Sequence, residues 1–332
     1  MFREKTPTYS SRNRIEKLEK TPAQLFNEQD QEKFNHKLGN INNYTISRRI
    51  GRGKYSNVFS GRIIGGDKIV IKVLKPVRMP KINREIAILE ALKGGPNITQ
   101  LLDVVKDNDS ESIALIMNYA PNNDVKVLFD IMTISDISIY IYKVLQAVAY
   151  AHKNGIMHRD IKPGNIMWSQ RNKKVSLIDW GLADFYVPDS DYIVRVATKH
   201  YKSPELLLGY KKYTPTLDIW CIGCTLAGLV FSRIPYFKGK DNDDQIERMC
   251  EIFGGRVMID YINKYDIEIS QSVINNISQM SKKHWSSFKS RYHLSPDLID
   301  LLSRLLTIDH MERPSAEEAM NHPFFKDIHN KI

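Results

Sequence analysis

Cysteine is scarce in this chain, with three residues in 332. That is too few for a disulfide framework and fits a reducing compartment. Cys221 and Cys224 form a C-x2-C with no second ligand pair, so the pattern reads as core packing rather than a zinc site. Long apolar runs are missing too. The longest near-continuous one, CIGCTLAGLVF from Cys221 to Phe231, falls short of the roughly 20 residues a bilayer-spanning helix needs. The opening MFREKTPTYSSRNR lacks the apolar core of a secretory signal. These shortages leave a soluble intracellular globular protein as the expectation. The chain is 42% hydrophobic, enough for one large domain or two packed lobes. No internal repeat is visible.

Acidic residues are in short supply only locally. Lys and Arg number 48 against 38 Asp and Glu, a net charge of +10. Residues 44–121 carry thirteen basic against seven acidic side chains, residues 1–40 eight against six, and residues 122–332 twenty-seven against twenty-five. A basic excess concentrated in one region favours an anionic partner, whether nucleic acid, acidic membrane or acidic peptide. The densest stretch is VRVATKHYKSPE, Val194 to Glu205. There Arg195, Lys199, His200 and Lys202 stand together with no carboxylate before Glu205.

Residues 1–43 are polar and mixed in charge and read as an extension. From Tyr44 the pattern changes. YTISRRIGRGKYSNVFSGRII and DKIVIKVLK are alternating, β-branched stretches split by glycine turns. INREIAILEAL puts Ile82, Ile86 and Leu89 on one helical face, and SIALIMNY reads as a further strand. After Pro121 helices dominate. SDISIYIYKVLQAVAYAHKNG is a helix with Ser135 as the expected N-cap and Gly155 as its stop. TPTLDIWCIGCTLAGLVF, apolar on most faces, predicts a buried central helix, and SPDLIDLLSRLLTIDH another with a Ser-Pro start. His310 and His322 are expected to be capping or surface groups.

Four constellations carry chemistry. Gly51 and Gly53 in IGRGKYSNVF leave backbone N–H groups open to phosphates, although glycines in a hairpin are usually only turn residues. Lys72 ends an apolar strand, where burial demands a counter-charge; Glu85 on the next helix can supply it. HRDIKPGNIMW, from His158, is far more specific. Asp160 can accept a proton from an attacking hydroxyl, Lys162 can steady a transferred phosphoryl group, and Asn165 offers a neutral oxygen to a divalent cation. In LIDWGLADF, Asp179 supplies the carboxylate that Mg2+ prefers beside phosphates and waters. An intervening hairpin allows Asp179 and Asn165 to reach one site.

Taken in order, the glycine turn, Lys72, Glu85, Asp160, Asn165, Asp179, Ser203-Pro204-Glu205, Asp218 and Arg313 resemble a eukaryotic protein kinase domain from about Tyr44 to Phe325. The resemblance implies a bilobal α+β fold: a small β-rich lobe over 44–120, a helical lobe over 121–325, and a tail from 326 to 332. It implies ATP held by Gly51, Gly53, Val58, Val70, Lys72, Met167 and Ile178, with Met117, Asn118 and Ala120 as the hinge. It further implies Mg2+ on Asn165 and Asp179, catalysis by Asp160 and Lys162, and a Lys72–Glu85 pair. Glu205 would anchor Arg313, and Asp218 would hold the catalytic-loop backbone. Lys162, two residues after Asp160, is similar to the serine/threonine class. GRGKYS, GGPNI, IMHRDIKP, LIDWGLA and YIVRVA, with Trp180 in place of the usual Phe, are similar to the casein kinase 2 catalytic-subunit family. That likeness implies constitutive activity on Ser or Thr followed by acidic residues, and an N-terminal segment propping the activation loop. It also implies GTP as a possible second nucleotide, a regulatory β subunit completing a tetramer, and residence in cytoplasm and nucleus.

An acidic peptide laid across Arg195, Lys199 and Lys202 would relieve their mutual repulsion, with Lys75, Arg78, Lys81 and Arg84 adding to the site from KPVRMPKINRE. That stretch departs from the family's dense lysine run, which predicts a weaker preference for acid directly after the phosphoacceptor. Arg159 is of the type that binds an activation-loop phosphate, with Thr198 and Tyr192 as candidate acceptors; Thr198 is placed better to hydrogen-bond Asp160 and Lys162. A catalytically dead scaffold would need Lys72, Asp160 or Asp179 to be missing. A nucleic-acid binder would need a reading motif that is not there. A proline-directed kinase would lack the basic platform.

Overall fold

The computed structural model describes residues 33–34, 36–122 and 131–329. The alternating region from Tyr44 forms an antiparallel five-stranded sheet: β1 (Tyr44–Arg52), β2 (Ser56–Ile63), β3 (Lys68–Leu74), β4 (Leu101–Lys106) and β5 (Ile113–Asn118). Their order in the sheet is β1-β2-β3-β5-β4. The register sets Val58 opposite Lys72 and Val70 opposite Met117. Helix α1 (Met79–Ala91) crosses this lobe. It buries Ile82, Ile86 and Leu89 in the main core, as the apolar spacing requires.

The second lobe holds α2 (Ile134–Lys153), α3 (Pro204–Leu207), α4 (Thr216–Val230), α5 (Asn242–Phe253), α6 (Gly255–Lys264), α7 (Gln271–Ser278), α8 (Pro296–Leu305), α9 (Ala316–Met320) and α10 (Lys326–His329). Every residue of α4 is buried, and it packs against α2 and α8. A helix apolar all round can sit only at the centre of a lobe. Ser295 caps α8 by accepting from the Leu298 amide. For α2 the N-cap is Thr133, not Ser135. Thr133 Oγ1 accepts from the Asp136 amide at 3.1 Å and Asp136 accepts from the Thr133 amide at 3.1 Å. This reciprocal box needs an acid three residues after the cap, a spacing that selects Thr133 and leaves Ser135 inside the helix. Gly155 takes φ +69° just past the other end, where a left-handed residue closes a helix cheaply.

Between α2 and α3 run the short strands β6 (Ile156–Met157), β7 (Ile166–Ser169), β8 (Lys174–Leu177) and β9 (Asp184–Phe185). β7 pairs with β8, and β6 with β9. Among the described residues no helix is long and apolar enough to cross a membrane. Cys221 and Cys224 lie buried in α4, and Cys221 Sγ is 3.2 Å from the Tyr201 carbonyl. His322 caps the turn that follows it by accepting from the Phe324 amide. His310 is not at the surface: it is caged by Tyr210, Tyr261 and Tyr265, with Nδ1 2.8 Å from the Tyr261 hydroxyl.

Candidate active site

The cleft between the lobes is built from the ends of short elements. β7 and β8 form a hairpin whose base is closed by the Ile178 amide donating to the Asn165 carbonyl at 2.9 Å. That bond sets Asn165 and Asp179, distant in sequence, at the same end of the hairpin. Asp179 adopts φ 61°, ψ 70°, a left-handed conformation that Asp tolerates better than most residues. It is followed by a single helical turn, Trp180–Leu182.

Lys72 reaches down from β3. Its Nζ donates to Glu85 Oε1 at 2.6 Å and to Asp179 Oδ1 at 2.7 Å. Burial works against the ammonium, but the two carboxylates outweigh it and raise its pKa. In return Lys72 holds the Asp179 carboxyl below its usual value against the opposing effect of burial. The Asp179 side chain stays half-exposed. Gly181 closes this triad from beneath. A Cβ there would lie 3.2 Å from Glu85 Oε2 and 3.3 Å from Lys72 Nζ, tighter than ordinary contact, so a side chain at this position would press on the ion pair.

The catalytic-type loop hangs from α4. Asp218 accepts from the His158 and Arg159 amides, both at 2.8 Å, and lies 2.9 Å from His152 Nε2. Burial raises its pKa, but His152 and the other hydrogen bonds more than offset this, and the carboxyl stays ionised. The Asp160 amide donates to His158 Nδ1. Nε2, 3.1 Å from the Ile178 carbonyl, therefore carries the imidazole proton. Arg159 is held at φ 65°, a strained value for a non-glycine residue. The carboxylate of Asp160, the next residue, is held in place by four donors. Oδ1 accepts from the Thr198 amide (2.8 Å) and hydroxyl (2.7 Å). Oδ2 accepts from Lys162 Nζ (2.7 Å) and Asn165 Nδ2 (3.1 Å). Asn165 Nδ2 also donates to the Asp160 carbonyl. With its amide nitrogen committed, the oxygen is the Asn165 atom left to meet a cation.

These donors suit a hard divalent cation. Among the described residues no cluster of three or more His, Cys, Asp or Glu could cage a metal. One carboxylate and one amide oxygen are instead what Mg2+ takes when phosphates and water fill the other positions.

Val58, Val70, Met167 and Ile178 are half-buried, two on the sheet and two on or just after the β7–β8 hairpin. Met117 is buried at the end of β5. Asn118 turns its side chain away: Oδ1 accepts from the Gln100 amide at 2.7 Å and Thr99 Oγ1 at 3.2 Å. Its backbone N–H donates to the Gln100 carbonyl. Gly51 and Gly53 both have ordinary φ, and a Cβ at either would meet only van der Waals neighbours. The turn's own shape does not demand glycine there, so what the two residues supply is uncovered backbone.

The residues expected to meet substrate separate in the structure. Arg195 and Lys199 are exposed and Lys202 is half-buried. Lys199 donates to the Lys240 carbonyl. Burial, then the charge of Arg195, lowers the Lys202 pKa. Arg78 is exposed at the N-cap of α1. The Lys81 ammonium sits 3.3 Å from the centroid of the Tyr55 ring. Lys75 and Arg84, also counted as cations of this stretch, are engaged elsewhere: Lys75 donates to the Gly53 carbonyl at 2.7 Å and Arg84 to Asp184.

Asp184 is the residue to which sequence reasoning gave no partner. Its carboxylate lies 2.9 Å from Arg159 Nη2 and 3.3 Å from Arg84 Nη1, so it occupies the position at Arg159 that had been assigned to a phosphate. The Thr198 and Tyr192 hydroxyls make their hydrogen bonds elsewhere. The first is bound to Asp160 and Lys162, and the second accepts from the Val187 amide. An arginine directly before Glu85 and an acid five residues after Asp179 were the available signal. Further down, Arg313 grips Glu205 through two 2.7 Å bonds. The pair is completely buried, and Arg313 overcomes burial to keep the Glu205 pKa low. The expected N-terminal prop falls largely outside the described residues. Within them, the Lys33 carbonyl accepts from Asn83 of α1. A family model described as a protein kinase domain matches residues 44–325.

Proposed function

Because this chain belongs to the protein kinase family, we propose that it transfers the terminal phosphoryl group of ATP to serine and threonine hydroxyls in acidic surroundings. The carrying observation is the Lys72 ammonium bridging Glu85 and Asp179. This charge network draws together three segments and fits triphosphate binding. In this reading Lys72 holds the non-transferred phosphates and Glu85 holds Lys72. Asn165 and Asp179 would hold Mg2+, which would supply positive charge against the negative charge of the phosphates. Asp160 orients the incoming hydroxyl and accepts its proton, and Lys162 steadies the moving phosphoryl group. Backbone groups of Asn118 and Ala120 meet the adenine, because the Asn118 side chain is spent on Thr99 and Gln100.

Lys162 donating to both Asp160 and Thr198 supports the serine/threonine class. The exposed Arg195 and Lys199, with Lys202 beside them, support acidic substrates. Each exposed pair contributes only about 0.2–1 kcal/mol, so selectivity needs several acting together and weakens with salt. The engagement of Lys81 with the Tyr55 ring and of Arg84 with Asp184 supports a weaker demand for acid directly after the phosphoacceptor. Asp184 between two guanidiniums supports activity without an added phosphate. Exposed Ile46, Ile50, Ile64 and Leu102 on the small lobe support its coverage by a regulatory subunit, as in casein kinase 2. The decisive test is phosphorylation of a degenerate Ser/Thr/Tyr peptide library at two salt concentrations. Incorporation should centre on Ser and Thr followed by Asp or Glu, and be stronger at low salt. Tyrosine incorporation, or indifference to acidic neighbours, would overturn the specificity. Asp179→Ala with full transfer would overturn the assignment of the site.

A further inference from the structure

We propose that Lys81 is a positioning residue that latches the glycine turn to helix α1 through the ring of Tyr55. The inference rests on the reading above only in taking that turn as the cover of the nucleotide. Tyr55 is 39% exposed at the tip of the turn, where an aromatic ring gains little from burial. What holds it is charge. Lys81 Nζ lies 3.3 Å from the ring centroid, well inside the roughly 6 Å range of a cation–π contact. Lys54 Nζ lies 5.1 Å from the same ring.

The turn is tied at two further points, both just past β3. The Lys75 amide donates to the Tyr55 carbonyl at 2.9 Å, and Lys75 Nζ donates to the Gly53 carbonyl at 2.7 Å. Lys81 adds the link to the helix. It stands on the first turn of α1, four residues before Glu85, and so lies on the same face. The helix that holds Lys72 through Glu85 thus also holds the turn through Lys81, and the two phosphate-binding elements are positioned together. A residue charged only for recognition of an acidic substrate would have its ammonium in solvent rather than on a tyrosine face.

Exposed cation–π contacts correspond to about a two- to fivefold change in an equilibrium constant. The test is calorimetric titration of the full chain with magnesium–AMP-PNP, without peptide. Tyr55→Leu and Lys81→Met should each raise Kd about two- to fivefold. The double variant should lose no more than either single one, since both break the same contact. Tyr55→Phe and Lys81→Arg, which keep ring and cation, should restore wild-type affinity. KM for ATP should follow Kd while kcat holds. Single variants with wild-type Kd, or additive losses, would refute the latch while leaving the kinase reading intact. A wild-type chain that does not bind the nucleotide would remove both.

Discussion

Replacing Asp184 with Asn tests whether the activation segment is held by the chain's own charge. The carboxylate meets Arg159 at 2.9 Å and Arg84 at 3.3 Å. The Arg159 side chain is only 4% exposed and that of Asp184 20%, so solvent screens the first contact poorly. Hydrogen bonds to charged groups contribute about 1.5–3 kcal/mol. The Arg159 bond should lie near the top of that range, and the longer Arg84 contact near or below the bottom. Asn keeps one accepting oxygen but removes the charge between two guanidiniums. We therefore expect a loss of about 2–3 kcal/mol. If it falls on alignment of the segment, kcat/KM on an acidic serine peptide should drop about 30- to 150-fold. If it falls on global unfolding, Tm should drop by about 4–12 °C instead. Measuring both at one pH separates the two cases. Phosphatase treatment of the wild-type enzyme should leave its rate unchanged. A folded Asp184→Asn protein with kcat/KM within threefold of wild type and an unchanged Tm would refute the reasoning.

Other perturbations should read out differently. Asp179→Asn should lower phosphoryl transfer a hundredfold or more with little change in Tm, measured by single-turnover assay. Glu205→Gln removes one partner of a fully buried bidentate pair and should cost about 3–5 kcal/mol of stability, seen in urea unfolding. Alanine at Arg195, Lys199 and Lys202 together should raise KM for an acidic peptide roughly threefold to a hundredfold at low salt, and less at high salt. Burial pushes the His310 pKa down from 6.5 to about 4. The native state therefore resists protonation where the unfolded chain accepts it. The stabilisation is complete above about pH 6.5 and is lost as pH falls toward 4, by roughly 3 kcal/mol. His310→Gln should flatten the stability–pH curve across that window.

Much of this arrangement was legible from residue order, and the rest failed for a physical reason. Strand alternation and helical spacing are local, so the sheet, α1, α2 and α4 could be read from windows of a dozen residues. Lys72 and Glu85 could be singled out because a buried charge needs a partner, and the structure pairs them; Asp160, Asn165 and Asp179 could be singled out because their residue types and spacing suit proton acceptance and cation binding. Ser135 and Thr133 both look like caps from their chemistry, and only the reciprocal bond with Asp136 decides between them. Asp184 was harder. Its partners lie 25 and 100 residues away, and nothing in a local window separates an acid that pairs at long range from one that faces water. Tyr55 was missed because an exposed aromatic in a turn has no periodic signature.

The same point governs how the positive charge should be understood. Thirteen basic residues in 44–121 suggest a strong field on the small lobe, but many of the lysines are engaged within the molecule. Lys72 and Lys106 pair with carboxylates, Lys68 and Lys81 lie over tyrosine rings, and Lys75 holds a carbonyl. The exposed cations are mostly arginines: Arg48, Arg49, Arg52, Arg62 and Arg78. Guanidinium is the more weakly hydrated group and binds carboxylates through two parallel bonds, so it suits an anionic surface better than a point charge does. Formal charge thus overstates the strength of the lobe and misplaces its chemistry. The consequence can be measured. Lys81→Met should change nucleotide affinity yet leave the salt dependence of acidic-peptide KM unaltered, whereas Arg195→Ala should reduce that slope. If Lys81→Met flattened the slope instead, its ammonium would be meeting the peptide rather than Tyr55.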